Sequence, residues 1–257
     1  MTSKIVHSFW SAVPSTFRSS IFYLADSLQW WEAKNRAKNL MRTFVEEKQL
    51  VFDVGANVGH MADIFLSIGA RVVAVEPQKT CIKKLQKKFK NNVNMTVLAN
   101  GVGEKKEKQR LNICNDSHAM SSFLKEDAPY RRMGDSFTDG YDVEIITLDS
   151  LIENFGKPTF CKIDVEGFEL LVLKGLSHRL DAFSFEITGS KLNAARDCVD
   201  YIVSKWDAEF NFSWATDFKL KSKAWLGPSH IIAYLEDLQK KFKTKDLWGD
   251  IYVKTIA

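Results

Sequence analysis

LVFDVGANVGHMADIFLSIGARVVAVEP, residues 50–77, decides the fold. Leu50, Val51 and Phe52 make a short apolar strand that ends on Asp53, and a turn carrying Gly55 and Gly59 follows. A helical pattern begins at once, with apolar residues at Val58, Met61, Ala62, Phe65 and Ile68, and Gly69 stops it. A second strand, Arg71 to Val75, ends on Glu76 and is closed by Pro77. Strand, glycine turn, helix, strand, acid is the layout of a nucleotide-binding α/β unit. Glu76 follows the turn by about 20 residues, the spacing that brings a carboxylate to both hydroxyls of a ribose.

The glycine spacing narrows the nucleotide. Cradling a pyrophosphate takes G-x-G-x-x-G, because the backbone must close on two phosphates at a helix N-terminus. Here Asn57 and His60 stand where the second and third glycines would be. Gly55 and Gly59 still permit a tight turn and the close approach of a phosphate-free ligand. That pattern suits S-adenosylmethionine (SAM), an adenosine with an amino-acid tail. The bland alternative is a ligand-free turn, but that gives no reason for an acid at the end of the second strand.

Outward from this unit, the α/β rhythm continues. Residues 17–48 look helical, with Ile21, Leu24, Leu28, Trp31, Leu40, Phe44 and Val45 as apolar positions. They read first as one or two helices packed across the sheet edge or over the cofactor mouth; the adjacent Trp30 and Trp31, which cannot share one stripe, keep a homodimer face or a membrane-surface contact as the alternative. After Pro77 a helix places Ile82, Leu85 and Phe89 inward and six lysines outward, ordinarily a solvated face. A strand at Met95 to Leu98 leads to Asn100-Gly101-Val102-Gly103. Residues 104–147 break the rhythm: two strands (Arg110 to Cys114, Val143 to Thr147) flank a long irregular segment, Asn115 to Asp142, with His118, Ser121, Ser122, Arg131 and Arg132. That segment reads as a lid over the cofactor. A helix at Leu148 to Phe155, a strand at Thr159 to Ile163 ending on Asp164, a helix at Phe168 to Leu173 and a strand at Ala182 to Phe185 ending on Glu186 follow. Lys191 to Lys205 reads as a helix, and Phe210 to Trp214 with Ile231 to Leu235 as a closing pair of strands. The division expected is a helical extension over 1–48 and one α/β domain over 49–257.

Composition excludes several classes. The chain has 257 residues and 45% apolar residues, ordinary for a globular protein. No apolar run approaches the roughly 18 residues needed to span a bilayer. MTSKIVHSFWSAVPSTF, broken by Pro14, does not read as a secretory signal. Cys81, Cys114, Cys161 and Cys198 have no metal-like spacing and read as reduced thiols of a cytoplasmic protein. A net charge of +4 is too mild to imply nucleic acid.

Five segments taken together resemble the FkbM family of SAM-dependent methyltransferases: FDVGANVG (52–59), AVEP (74–77), TLDSLIE (147–153), KIDVEGFELLVLKG (162–175) and FEIT (185–188). The resemblance implies a class I methyltransferase fold, a seven-stranded and mostly parallel sheet with helices on both faces, here with an inserted hairpin and loop. It implies SAM as cofactor and a hydroxyl on a sugar, glycan or related natural product as acceptor. It also implies residue roles. Asp53, Gly55, Asn57 and Gly59 would floor the methionine half of SAM, and Glu76 would hold the ribose. Asn100 and Gly101 would meet the adenine edge, Asp164 would stand beside the methyl group, and Ser122 would lie in a serine loop near the cofactor. This chain has His118, Ala119 and Met120 where the family often has glycine before that loop.

Methyl transfer from a sulfonium is a one-step displacement, so the protein aligns the acceptor and removes its proton. The candidates for that base are His118, Asp164, Glu166 and His230, with Asp164, Glu166 and His118 placed foremost; His60 and His178 read as structural. Glu166 has a plain alternative, a carboxylate favoured by the N-terminus of the next helix. Asp164 and Glu186 end adjacent strands and could share Mg²⁺, but no third ligand is visible, so activity without added metal is expected. Arg131, Arg132 and the lysine-rich helix would favour an anionic acceptor. Three rivals remain: a SAM-binding module without transfer, a nucleic-acid methyltransferase (no N-P-P-Y is present) and a dehydrogenase suggested by Tyr201 and Lys205 in Y-x-x-x-K.

Overall fold

The computed structural model describes residues 32–114, 123, 137–188, 192–214, 217–242 and 248–256. Among these described residues, ten strands form two sheets. The larger one contains β1 (Leu50–Val54), β2 (Arg71–Val75), β3 (Met95–Leu98), β7 (Phe160–Ile163), β8 (Ala182–Thr188), β9 (Ala208–Trp214) and β10 (Trp248–Thr255), in the order β3-β2-β1-β7-β8-β10-β9. The β3, β2, β1, β7 and β8 strands run parallel, and β10 is antiparallel to both of its neighbours. The smaller sheet joins β4 (Gly101–Val102), β6 (Phe137–Ile146) and β5 (Glu107–Cys114). This is the class I methyltransferase arrangement.

Among the described residues, seven helices flank the large sheet: α1 (32–41), α2 (His60–Ile68), α3 (Lys79–Lys88), α4 (Leu148–Phe155), α5 (Glu169–Lys174), α6 (Leu192–Lys205) and α7 (Pro228–Phe242). All five residues of β1 and all four of β7 are buried, as expected of parallel strands covered on both faces. On one face Phe52, Cys161, Ile163, Phe183 and Phe185 meet α4, α5, α6 and α7. On the other, Val51, Ala74, Phe160 and Tyr252 meet α1, α2 and α3. The chain just after α1 joins that second layer. Phe44 packs 5.0 Å from Phe160 and stacks 5.6 Å from Tyr252, ring centroid to ring centroid. Residues 32–45 thus complete one side of the sheet.

Two expectations fail. Ile231 to Leu235 lies inside α7, not in a strand. Its buried residues, Ile231, Ile232, Leu235 and Leu238, recur at helical spacing behind Pro228, which opens the helix. The partner of β9 is β10. The segment expected to be irregular from Asn115 to Asp142 is shorter than that, because Phe137 to Asp142 belongs to β6 and pairs with β5 across a bulge between Leu111 and Ile113. Of the expected lid, residues 115–122 and 124–136 lie outside the described residues, as do Trp30 and Trp31. Among the described residues no helix is long and apolar enough to cross a membrane.

Candidate functional site

A cavity of about 370 Å³ opens at the carboxyl ends of β1, β2, β7 and β8, where open α/β sheets bind their ligands. Asp53, Gly55, Asn57, Glu76, Asn100, Gly101, Asp164 and Glu166 all line it, so eight of the sequence candidates meet at one place. Gly59 is not among the lining residues, and His118 and Ser122 lie outside the described residues.

The glycines of the turn serve the protein's own packing. Gly55 has φ +80°, and a Cβ there would stand 1.7 Å from the carbonyl oxygen of Asp164. Gly59 has φ +78°, and a Cβ there would meet Leu85 at 2.6 Å and Phe89 at 2.7 Å. The turn is therefore pressed between β7 and α3, and the glycines expected to admit a ligand first admit neighbouring chain. Asn57 completes the bend in left-handed conformation, φ +48°.

Glu76 is 6% exposed. Its Oε2 accepts from the Asn57 backbone N–H at 2.8 Å and its Oε1 from that of Gln78 at 2.8 Å. Burial outweighs those two bonds and pushes the carboxyl up to about 7. Asp53 is 1% exposed, and its Oδ2 has no hydrogen-bond partner. Burial raises it to about 6, against the pull of the Lys162 ammonium. A buried carboxylate oxygen left unpaired at a cavity wall is costly until a donor arrives.

The other end of the cavity is built from β7, β8 and β10. Lys162 Nζ lies 2.6 Å from Asp164 Oδ2 and 3.9 Å from Asp250 Oδ1. Glu186 and Asp250 are cross-strand partners. Burial, then Asp164 and Glu166, push the Glu186 carboxyl far up. Its Oε1 accepts from Trp248 Nε1 at 2.6 Å, and that indole is 44% exposed. Glu166 sits in the left-handed region at φ +54°, a strained setting for a residue with a side chain. The carboxylate at the start of the next helix is Glu169, not Glu166. Glu169 Oε1 accepts from the Val165 and Gly167 backbone N–H groups and so braces the turn that presents Glu166. Asp164, Glu166 and Glu186 each bring one oxygen within 4.8 Å of the others, so the third acid the sequence did not reveal is Glu166.

Other candidates fall away from the cavity or move into it. His230 is exposed in the first turn of α7 and does not line the cavity. His178 Nδ1 pairs with Asp149 at 2.9 Å at an exposed position. His60, read as structural, does line the cavity; burial lowers its pKa. Tyr201 and Lys205 lie on α6 and do not line it, so the Y-x-x-x-K match stands apart from this cavity. None of the lysines of α3 lines it either. Lys162, Phe218, Trp248 and Asp250 were not foreseen. Lys162 had a visible signal, a charge inside the apolar run TFCKID. Asp250 and Trp248 had none, because β10 was not recognised.

The description "Methyltransferase FkbM domain" matches residues 53–242, most of the chain. This protein belongs to the FkbM methyltransferase family. A curated relative, the hexuronic acid methyltransferase AglP of Haloferax volcanii, is 29% identical over 150 residues, which are 55% of this chain and 56% of that protein. The chain thus matches just over half of that relative's length. Among solved structures, the plantazolicin methyltransferase BpumL in complex with SAH is 10% identical, covers 96% of this chain and 93% of its own, and has a TM-score of 0.45. A precorrin-6y C5,15-methyltransferase from Geobacter metallireducens is 10% identical with coverages of 85% and 86% and the same TM-score of 0.45.

SAM is the methyl donor of the FkbM family, and the residues present fit it. Glu76 keeps acceptor capacity on both oxygens for a ribose diol. Asp53 Oδ2 is an orphaned acceptor in the wall. Asn100, Gly101 and Phe123 line the same cavity, with the Phe123 ring packed close against Gly101. The acids of the lining suit a ligand with a sulfonium and an ammonium.

Proposed function

We propose that this protein transfers the methyl group of SAM to a hydroxyl of a sugar. The observation that carries this reading is one cavity with Glu76 at one end and Asp164, paired to Lys162, at the other. When bound, SAM supplies an electrophilic methyl on a sulfonium, already a good leaving group. The chain's residues do the rest. Glu76 anchors the ribose and Asp53 takes a donor of the cofactor. Asp164 is the general base that accepts the hydroxyl proton, and Glu166, held on its strained turn, orients the acceptor. Bringing the acceptor hydroxyl to the carboxylate before reaction is worth more than any one hydrogen bond, because it converts an encounter into an intramolecular step.

The sugar assignment draws on the relative named a hexuronic acid methyltransferase and on Trp248. Its half-open indole stands at the cavity edge and offers a flat apolar face to a ring. The lining carries six acids (Asp53, Glu76, Asp164, Glu166, Glu186, Asp250) and one lysine among the described residues. A nucleic-acid backbone is a poor fit to such a wall. A uronic acid would turn its carboxylate away from this wall; Arg131 and Arg132, the sequence's candidates for an anionic acceptor, lie outside the described residues.

The test is mass spectrometry of the purified protein incubated with isotopically labelled SAM and a panel of neutral sugars, hexuronic acids and glycans containing them. Label on a sugar oxygen is expected. Calorimetry showing tight NAD binding and none of SAM would sink the reading. Binding of SAM without transfer to any hydroxyl would leave a binding module.

A further inference from the structure

Lys162 lies in a four-residue strand with every residue buried, and its side chain is 9% exposed. The strand registers explain what surrounds it. Asp53 pairs with Lys162 between β1 and β7, and Lys162 pairs with Ser184 between β7 and β8. Two residues further along, on the same face because side chains alternate, come Asp164 and Glu186, and Asp250 faces Glu186 from β10. Four adjacent strands thus each contribute one acid around a single ammonium. Burial works against the Lys162 charge, and Asp164, Asp250, Asp53 and Glu186 together hold the ammonium protonated. Among the described residues no other lysine and no arginine lines the cavity. Carboxylates crowded in a buried space need a cation to remain ionised and in place. Clustered acids often draw a divalent ion for that purpose. Here the chain carries the cation itself.

We propose that Lys162 is the built-in counter-cation of the acceptor end of the site: it fixes Asp164 through Oδ2, leaves Oδ1 to receive the acceptor proton, and makes methyl transfer independent of a divalent ion. The proposal rests on the methyltransferase reading above and adds to it. In the step, the acceptor oxygen forms a bond to the methyl carbon as the carbon–sulfur bond breaks. The electron pair of that bond stays on sulfur, giving a neutral thioether, and the hydroxyl proton passes to Asp164 Oδ1. Lys162 acts through Asp164 and is a positioning residue. A divalent ion seated on Asp164 would stand beside the ammonium and be repelled by it.

The experiment compares the wild type with Lys162→Arg, Lys162→Met and the double variant Lys162→Met/Asp250→Asn. The double variant removes one acid together with the cation, so it guards against a single variant that fails to fold. Affinity for S-adenosylhomocysteine is read by calorimetry, and kcat and acceptor KM by label transfer, with EDTA and with Mg²⁺ restored. Lys162→Met should lower kcat by about a hundredfold or more, change acceptor KM less than kcat, and leave cofactor affinity within a few-fold. Lys162→Arg should recover much of the loss, and EDTA should leave the wild type unchanged. A double variant with near-wild-type kcat overturns the proposal. So does a wild type that EDTA silences and Mg²⁺ restores, a result that needs no variant at all. A wild type that does not bind the cofactor product overturns the methyltransferase reading and this proposal with it, whereas normal binding with a metal requirement overturns this proposal alone.

Discussion

At the β2 end of the cavity a buried carboxylate, Glu76, is held by two backbone N–H groups. At the β7 end a half-buried carboxylate, Asp164, is held by a lysine side chain. The first arrangement is fixed by the path of the chain through Asn57 and Gln78 and changes little with substitution nearby. The second depends on a charge that one mutation removes. A ligand shared by a whole family can be recognised by backbone, which suits the β2 end. Proton removal needs a base whose charge and direction are tuned, which suits side chains. Family motifs run through both ends, FDVGANVG and AVEP at the first and KIDVEGFELLVLKG and FEIT at the second, but the second also draws Trp248 and Asp250 from beyond the matched residues 53–242.

The sharpest way to break this contrast is at Asp164. Asp164→Asn should lower kcat by about 10² to 10⁴ and leave affinity for S-adenosylhomocysteine within a few-fold; steady-state kinetics and calorimetry check both. Unchanged turnover would move the base elsewhere, with Glu166 and His118 next. At the opposite end, Glu76→Ala should weaken SAM binding by about 1.5–3 kcal/mol, as for hydrogen bonds to a charged group, with a smaller effect on turnover at saturation.

A subtler test uses proton release. Burial holds the Glu76 carboxyl up to about 7, above its ordinary range. In the free protein this group therefore stabilises the fold most below its unfolded pKa, and that contribution is lost as pH rises through about 7. A ribose diol donates to the ionised form and pulls the pKa back down. Cofactor binding should then tighten as pH rises through about 7 and release protons below it. Calorimetry in buffers of different ionisation enthalpy would detect the release, and Glu76→Gln should remove the part centred near pH 7 while leaving any part from Asp53, which is raised to about 6. Next in size, Trp248→Ala should raise acceptor KM several-fold with cofactor affinity unchanged; an equal fall in both would make Trp248 a support for the cavity rather than a ring platform. The smallest effect is expected at Tyr201→Phe, which should leave methyl transfer unchanged; a large loss there would reopen the dehydrogenase motif.

How far the site was legible from sequence follows the same division. β1, α2 and β2 were readable because strands buried on both faces give unbroken apolar runs and because Gly55, Gly59 and Gly69 punctuate them. Asp53, Glu76 and Asp164 were readable as acids that end such runs. α7 was misread because Ile231 and Ile232 are adjacent and suggest a strand when the later residues at helical spacing are given less weight. β10 was missed because Gly249 and Asp250 interrupt its apolar run, Gly249 where β9 passes too close for a side chain and Asp250 where the cavity needs an acid. The surroundings of Lys162 could not be read from any local pattern. They depend on the registers of strands that hold residues 53, 162, 186 and 250, and register between distant strands is a property of the assembled sheet.

The placement of β10 bears on how the molecule is made. It is the last described strand to be synthesised, yet it lies inside the sheet, between β8 and β9. Until residues 248–255 leave the ribosome, β8 and β9 have no strand between them, and one wall of the cavity, with Trp248, Gly249 and Asp250, does not exist. A nascent chain can form the β3-β2-β1-β7-β8 portion first and bind its partners through the β2 end. Only when residues 248–255 are free to pair can Asp250 join Lys162 and Glu186, so the β7 end of the cavity is completed after the β2 end.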